Sequence, residues 1–200
     1  MESHPAYNSC LAVMKRSSAS AAGFRGRLYR ACAPIYANTG DLLTGEGSRK
    51  VGGRWNRPGD FAIVYLAQTV EGAIAEALGL PGVFGFDPDS RLPLTLVAVE
   101  ARLDVVLDLT APAVRRVLAA TIKTMVGCDW RNENASGREA ITQALGRAAF
   151  DSGVQGIIVP SAVKRTFKNL NVFPARLGTA GTLRILRAEN LPPPPPPGLI

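Results

Sequence analysis

The chain has 200 residues, of which 46% are hydrophobic and 20% charged, and its formal net charge is +7. These values are typical of a folded globular protein rather than a disordered one, and the length permits one domain with a substantial core. No apolar run approaches the ~20 residues of a membrane-spanning helix. The amino terminus also lacks a secretory signal pattern, so we expect a cytoplasmic protein that does not contact a membrane.

The cysteines and histidines exclude several kinds of site. The three cysteines are widely spaced and form no C-x-x-C pair, so we expect neither a zinc site nor a disulfide framework. His4 is the only histidine, which argues against a hydrolase that uses histidine as its base and against a histidine-rich metal centre. We therefore expect no bound metal.

The positive charge is spread along the sequence, with short clusters at 25–30 and 164–168. The sequence contains no helix-turn-helix signature, zinc finger or ribonucleoprotein motif, so charge alone favours direct nucleic-acid binding. An acidic small ligand or an acidic protein partner explains the same excess of charge.

The first quarter of the chain predicts a leader, a strand and a loop. Residues 1–22 are rich in Ser and Ala without sustained periodicity, and we expect a loosely ordered or weakly helical leader. Residues 27–31 alternate polar and apolar side chains, which predicts a strand. Residues 33–50 contain several glycine turns, which predict a loop.

The stretch from 51 to 76 concentrates the chemistry of the chain. It consists of a glycine-supported loop, an apolar strand at 61–67 and a helix that Thr69 is expected to cap. A guanidinium beside an aromatic ring suits a flat, anionic ligand such as a nucleotide. The side chains that this unit brings together are Arg54, Trp55, Tyr65 and Glu76.

The rest of the chain mixes strands and helices without a regular βαβ rhythm. The expected elements are a surface loop at 81–93, strands at 94–102 and 105–109 with a bend near Asp104, helices at 112–127 and 137–150, a strand at 156–159, a polar loop with Asn169 and Asn171, and a strand at 182–187. We predict an α+β fold with a mostly antiparallel or split sheet flanked by helices. The domain is expected at 23–190, followed by a proline-rich tail at 191–200.

Each candidate side chain also has an ordinary structural explanation. Arg30 and Arg54 either clamp a pyrophosphate or lie on the surface, and Trp55 is as readily a core anchor as a stacking platform. Glu76 borders an apolar helix face, so it is either a solvated residue or the acid of a pocket. Ser161 follows a buried strand, but no histidine is available to activate it, so a hydrogen-bonding role is favoured over nucleophilic attack.

Several motifs, in order along 27–187, resemble the RES domain family, which is named for an Arg, a Glu and a Ser. The motifs are L-Y-R-A at 28–31, G-G-R-W-N at 52–56, Y-L-A with a following A-x-x-E at 65–76, G-I-I-V-P-S-A at 156–162 and N-x-N-V-F-P at 169–174. G-G-R-W-N followed downstream by P-S-A is the most specific part of this resemblance.

The resemblance implies a compact ADP-ribosyltransferase-like domain that acts as the toxin of a type II toxin–antitoxin system. Such toxins cleave the nicotinamide–ribose bond of NAD+ by phosphorolysis or hydrolysis, with NAD+ as substrate and no further cofactor, and inorganic phosphate is one acceptor. The antitoxin is typically an Xre-type protein that blocks the active site, so DNA is reached only through it. A homo-oligomer is compatible with this picture.

Carried over by position, the resemblance implies two sets of site residues. Glu76 is the catalytic carboxylate, and Arg54 and Ser161 act beside it. The residues implied to contact NAD+ are Tyr29, Arg30, Trp55, Tyr65 and Asn171. Two alternatives stay open at this point: transfer of ADP-ribose to a protein target, and a non-catalytic module that acts through its basic surface.

Overall fold

In the computed structural model, which describes residues 1–18, 21–79 and 88–194, strands and helices alternate irregularly along the chain. The strands of the described residues are β1 (Ala22–Cys32), β2 (Val64–Ala67), β3 (Thr95–Asp108), β4 (Gly156–Pro160), β5 (Lys168–Val172) and β6 (Thr182–Ile185). The α-helices are α1 (Tyr7–Ser18), α2 (Glu46–Val51), α3 (Val70–Leu78), α4 (Pro112–Val117), α5 (Ile122–Gly127), α6 (Trp130–Ala135) and α7 (Ile141–Asp151). In this part of the chain, no helix has the length and apolar character needed to cross a bilayer.

Five of the strands close into a barrel. They follow one another in the order β1-β2-β5-β4-β3, and β3 pairs again with β1, while β6 extends the sheet from β3. All of these pairs are antiparallel except β3–β4, which is parallel. The α+β class is therefore confirmed, but the plain antiparallel sheet is wrong, because the long strand β3 reaches both β1 and β4 and so closes the ring.

The barrel interior is filled by one side of each strand. Alternate residues along a strand point to opposite faces, and the residues at every second position form a single buried cluster. Its members include Leu28 of β1, Val64 and Leu66 of β2, Val97, Val99, Ala101 and Leu103 of β3, and Leu170 and Val172 of β5. Burying each such aliphatic side chain contributes roughly 1.5–3 kcal/mol.

A second core lies outside the barrel, beneath the helices. It joins Ile157 and Val159 of β4 to Leu145 of α7 and to Cys10 and Met14 of α1. The first eighteen residues therefore do not form the loosely ordered leader that we expected. Helix α1 packs against α7 and buries part of its own face, although its hydrophobic spacing is interrupted by polar residues.

Strands β1 and β2 are joined at one place only. Tyr29 pairs with Ala67, and the two strands pair at no other position within their described residues. Beyond Tyr29 the strands part, and helix α3, which follows β2, packs against β1 beside this opening. The opening positions the candidate site.

Several predicted elements differ from those observed. A single strand, β3, replaces the two strands at 94–102 and 105–109, because Gln155 accepts the backbone N–H groups of Asp104 and Val105 and carries the strand through the expected bend. The polar loop around Asn169 and Asn171 is in fact β5, paired on both sides.

The helix predicted at 112–127 is divided in two. It breaks between α4 and α5 at Ala119, whose backbone has a positive φ of 50°. Of the loop predicted at 81–93, residues 81–87 lie outside the described residues, as do residues 195–200 of the predicted proline tail. The strands predicted at 27–31, 156–159 and 182–187 are confirmed, as is the helix at 137–150.

Candidate active site

A cleft of about 260 Å³ opens where β1 and β2 part. Tyr29, Arg30 and Ala31 form its β1 side, Tyr65 to Ala67 its β2 side, and Ala73, Glu76 and Ala77 of α3 its third side, with Asn169 contributed by β5. Small alanine side chains on α3 leave room for a ligand between the helix and the strands. Four of the residues expected at the site, Tyr29, Arg30, Tyr65 and Glu76, therefore lie around one cavity.

Helix α3 delivers Glu76 to this cleft. Its start is fixed by Thr69, whose side chain accepts a hydrogen bond from the backbone N–H of Gly72 as predicted. Oε1 of Glu76 accepts hydrogen bonds from Ser161 Oγ at 2.6 Å and from Asn169 Nδ2 at 2.7 Å. The carboxylate is thus held in the pocket, and the alternative of a solvated edge residue is excluded.

Ser161 is fully committed to holding Glu76. Its side chain is buried, with 1% of the residue exposed. The hydroxyl donates its proton to Glu76 and accepts hydrogen bonds from the backbone N–H groups of Val163 and Lys164 at 3.1 and 3.2 Å. With its proton and its lone pairs occupied, this hydroxyl suits a positioning role rather than that of a nucleophile.

The Tyr65 hydroxyl supports the G-G-R-W-N loop. It donates to Asn56 Oδ1 at 2.8 Å and accepts from the backbone N–H of Trp55 at 3.3 Å. Burial raises the pKa of this hydroxyl well above its usual range, and the Trp55 N–H and the charge of Arg54 oppose the rise only in part. Tyr65 therefore lines the cleft with its ring while its hydroxyl is engaged in the loop.

Trp55 lies in the outer core, with 3% of its surface exposed, and it is not among the residues that line the cleft. Helix α7 packs directly on its backbone, because a Cβ atom at Gly146 would overlap the Trp55 carbonyl. Gln143 of the same helix donates to the carbonyls of Gly53 and Asn56. The structure thus favours the core-anchor interpretation of Trp55.

Arg30 reaches the cleft from the end of the barrel. It lies on the same side of β1 as Leu28, and its Nη1 is buried without a hydrogen-bond partner among the described residues. Burial lowers the pKa of this guanidinium, and the neighbouring Cys32 thiol acts in the opposite direction. A buried guanidinium with an unused donor is an unfavourable arrangement that an anionic ligand would relieve.

Arg54 is anchored close to the cleft rather than in its lining. Its Nη1 donates to the carbonyl oxygens of Cys128 at 2.7 Å and Met125 at 3.2 Å, which ties the loop to α5. Burial lowers the pKa of this guanidinium, while the charges of Cys128 and Glu76 are among those that oppose the change. Arg54 therefore acts electrostatically on the site and orders the loop that supports it.

Asn171 is fully buried on β5, between Tyr65 of β2 and Ile157 of β4, and it does not line the cleft. Neither atom of its amide has a hydrogen-bond partner among the described residues. Asn169, two residues earlier on the same face, does line the cleft and contacts Glu76. Sequence reasoning therefore missed the nearer of the two asparagines, although the N-x-N pattern contained it.

Volume alone would point to a different place. A larger groove of about 510 Å³ lies on the outer face of β1 and β3 and includes Arg25, Arg27, Arg102 and Glu100. Glu100 is 3.0 Å from the exposed Arg184 and is itself well exposed. This groove lacks the buried acid of the smaller cleft, which holds an oriented carboxylate opposite a desolvated guanidinium. Such a pair can bind an anion and stabilise positive charge on the same ligand.

Comparison with known proteins agrees with the motifs. Residues 27–192 match the family model described as the RES domain. The NAD(+) phosphorylases MbcT of Mycobacterium tuberculosis and Mycobacterium bovis are 33% identical over 124 residues, which cover 61% of this chain and 62% of each relative. The match thus spans just under two thirds of the length of these curated relatives.

A similar fold occurs in a solved structure, the crystal structure of the Mycobacterium tuberculosis MbcT–MbcA toxin–antitoxin complex. The TM-score is 0.64 with 22% sequence identity, over 90% of this chain and 93% of the other. At that identity the likeness concerns the fold alone. Because the family model covers most of the sequence, including every motif that carried the resemblance, this chain belongs to the RES domain family.

Proposed function

We propose that this protein is the toxin of a type II toxin–antitoxin pair and that it cleaves the nicotinamide–ribose bond of NAD+ with inorganic phosphate as acceptor. The observation that carries the proposal is the pair formed by Glu76 and Ser161 in a cleft that also presents the buried guanidinium of Arg30. Family membership and the names of the MbcT relatives support the same reaction class. On this proposal the domain is ADP-ribosyltransferase-like and acts in the cytoplasm.

The reaction needs a carboxylate more than it needs an acid. The bond between the ribose anomeric carbon and the pyridinium nitrogen breaks, and its electron pair stays on the nitrogen, so nicotinamide leaves as a neutral molecule. Positive charge then develops on the ribose, and a phosphate oxygen forms the new bond to the anomeric carbon. Glu76, held against the cleft by two donors, stabilises that charge.

The arginines supply binding and positioning. Arg30 provides an unused, buried donor for the phosphates of the dinucleotide, and Arg54 adds positive potential while it holds the G-G-R-W-N loop against α5. Fixing the pyrophosphate converts binding energy into correct placement of the ribose beside Glu76. The ring of Tyr65 and the side chain of Tyr29 form the walls against which the nicotinamide–ribose end packs.

The cleft is also the surface through which a partner can silence the enzyme. Tyr29 lies on the wall of the cleft and also borders the outer groove that contains Arg25, Arg27 and Arg102. A partner bound across both would cover Glu76. On this proposal the partner is an antitoxin of the Xre type, and DNA is contacted through the antitoxin rather than by this chain.

A product assay tests the proposal. Purified protein is mixed with NAD+ in the presence and absence of inorganic phosphate, and nicotinamide, ADP-ribose and ADP-ribose 1-phosphate are separated and quantified. We expect release of nicotinamide that depends on phosphate, formation of ADP-ribose 1-phosphate, and a loss of at least about 1,000-fold in Glu76→Gln. ADP-ribose as the only product would instead establish hydrolysis, and an absence of nicotinamide under all phosphate concentrations would contradict the proposal.

A further inference from the structure

Asn169 and Ser161 meet at the same oxygen of Glu76. Asn169 Nδ2 lies 2.7 Å from Oε1, and Ser161 Oγ lies 2.6 Å from the same atom. A carboxylate oxygen offers about two lone-pair directions, so these two donors occupy Oε1. Oε2 accepts no hydrogen bond from the residues that the structure describes, and it is the oxygen that remains for a ligand in the cleft.

The chemistry of the pair fixes the orientation of the asparagine amide. A carboxylate accepts hydrogen bonds, so the NH₂ end of Asn169 must face Glu76 and its Oδ1 must face away. Oδ1 is buried and has no partner among the described residues, an arrangement that carries a desolvation cost. The contact with Glu76 is therefore kept although the other end of the amide is poorly accommodated.

The two donors come from rigid parts of the barrel. Asn169 lies on β5, paired in register with Ala67 of β2 and Val159 of β4, so its backbone is held from both sides. Ser161 follows β4 directly, and its backbone N–H donates to the carbonyl of Phe167 at 3.0 Å. Two neighbouring strands thus hold an acid that belongs to helix α3.

We propose that Asn169 is a positioning residue of the reaction: together with Ser161 it fixes Oε1 of Glu76 and thereby presents Oε2 to the ribose of the substrate. This assignment rests on the proposed cleavage of NAD+. It deepens the proposed function, because the reactive carboxylate is oriented by an amide as well as by the serine from which the family takes its name. Asn169 acts through Glu76 and need not touch the substrate.

Two substitutions separate positioning from packing. Asn169→Ala removes the N–H donor, and Asn169→Asp keeps the size of the side chain but places a second carboxylate beside Glu76. A donor role predicts that kcat for nicotinamide release falls in the order Asn, Ala, Asp, because like charges repel at this distance. We expect Asn169→Ala to lower kcat about 10-fold or more while KM for NAD+ stays within about twofold, since the groups that bind the dinucleotide are unchanged.

The opposite order would overturn the assignment. If Asn169 only fills space, Asp is the better replacement and Asn169→Asp retains more activity than Asn169→Ala. Thermal unfolding of each variant confirms that the compared proteins are folded, and Lys168→Ala, an exposed neighbour on the same strand, is the control expected to keep wild-type kcat. A wild-type protein that releases no nicotinamide would remove the proposed function itself. Normal wild-type turnover with the reversed order of variants would remove only the role of Asn169.

Discussion

The hydroxyl of Ser161 donates a 2.6 Å hydrogen bond to Oε1 of Glu76 across 85 positions of sequence. This contact joins the end of β4 to helix α3, which lie on different sides of the cleft. The acid is consequently oriented only when the barrel has closed. Catalytic competence and the tertiary fold are linked through this one pair of side chains.

Removing the Ser161 hydroxyl should weaken the reaction without abolishing it. We expect Ser161→Ala to lower kcat about 10- to 100-fold, which corresponds to the loss of one hydrogen bond to a charged group, while Glu76→Gln loses far more. Nicotinamide release measures both. Ser152→Ala is the matched control, because the Ser152 hydroxyl donates to the Ala149 carbonyl at the end of α7, away from the cleft. Equal loss in the Ser161 and Glu76 variants would contradict a positioning role.

Arg30 should govern binding of the dinucleotide rather than the chemical step. Its buried, unused Nη1 favours an anionic partner, so we expect Arg30→Gln to raise KM for NAD+ about 10- to 100-fold with a smaller effect on kcat. Arg27→Gln, an exposed arginine on the same strand, should leave both constants within about twofold. The assignment of Arg30 fails if its replacement leaves KM unaltered.

A buried ion pair ties the amino-terminal segment to α7 and gives a pH-dependent stability. Glu139 receives hydrogen bonds from Arg147 at 2.8 and 2.7 Å and from the backbone N–H of His4 at 2.8 Å. Burial acts to raise the pKa of Glu139, but these hydrogen bonds and the charges of Arg147 and Arg57 outweigh it, so the pKa lies below its ordinary value of 4.5. A lowered carboxyl pKa stabilises the fold above the unfolded-state pKa, and this stabilisation is lost as the pH falls through the folded-state pKa.

We therefore expect Glu139→Gln to be less stable than the wild type by about 3–5 kcal/mol at pH 7, with the difference shrinking below about pH 4. Urea unfolding at several pH values measures it. Glu133→Gln breaks the exposed pair with Arg138 and should cost no more than about 1 kcal/mol. A gap between wild type and Glu139→Gln that is independent of pH would show that the charge of Glu139 does not cause it.

The close approach of α7 to the G-G-R-W-N loop should be intolerant of a single methyl group. Gly146→Ala places a Cβ atom on the Trp55 carbonyl, so we expect a loss of about 1–3 kcal/mol or more and a thermal midpoint lowered by several degrees. Gly47→Ala is the matched control, since a Cβ there meets no atom within 4 Å and its backbone does not require glycine. Unchanged stability in Gly146→Ala would show that the loop can retreat from the helix.

Much of the site could be predicted from the sequence because its elements are locally encoded. Thr69 caps α3 as its side-chain chemistry predicts, and helical geometry then carries Glu76 to the cleft. The motif around Ser161 follows a short, strongly apolar strand, which is a clear local pattern. These features depend on near neighbours in the chain, and the sequence displays near neighbours directly.

The features that sequence reasoning missed depend on distant contacts. Asn169 and Asn171 belong to β5 because β2 and β4 pair with it on both sides, which overrides the turn preference of asparagine. Barrel closure depends on β3, whose partners come from both ends of the chain. Trp55 is a core residue because α7 lies against its backbone, and no local pattern around Trp55 indicates that helix.

The most direct measurement of the central claim is a crystal structure of the Glu76→Gln protein with NAD+. We predict that the nicotinamide-bearing ribose lies within hydrogen-bond distance of residue 76, that the pyrophosphate contacts Arg30, and that Ser161 and Asn169 remain at the carboxamide that replaces the acid. A dinucleotide bound elsewhere, such as in the outer groove beside Arg25 and Arg102, with no ligand between α3 and the parted strands, would contradict it.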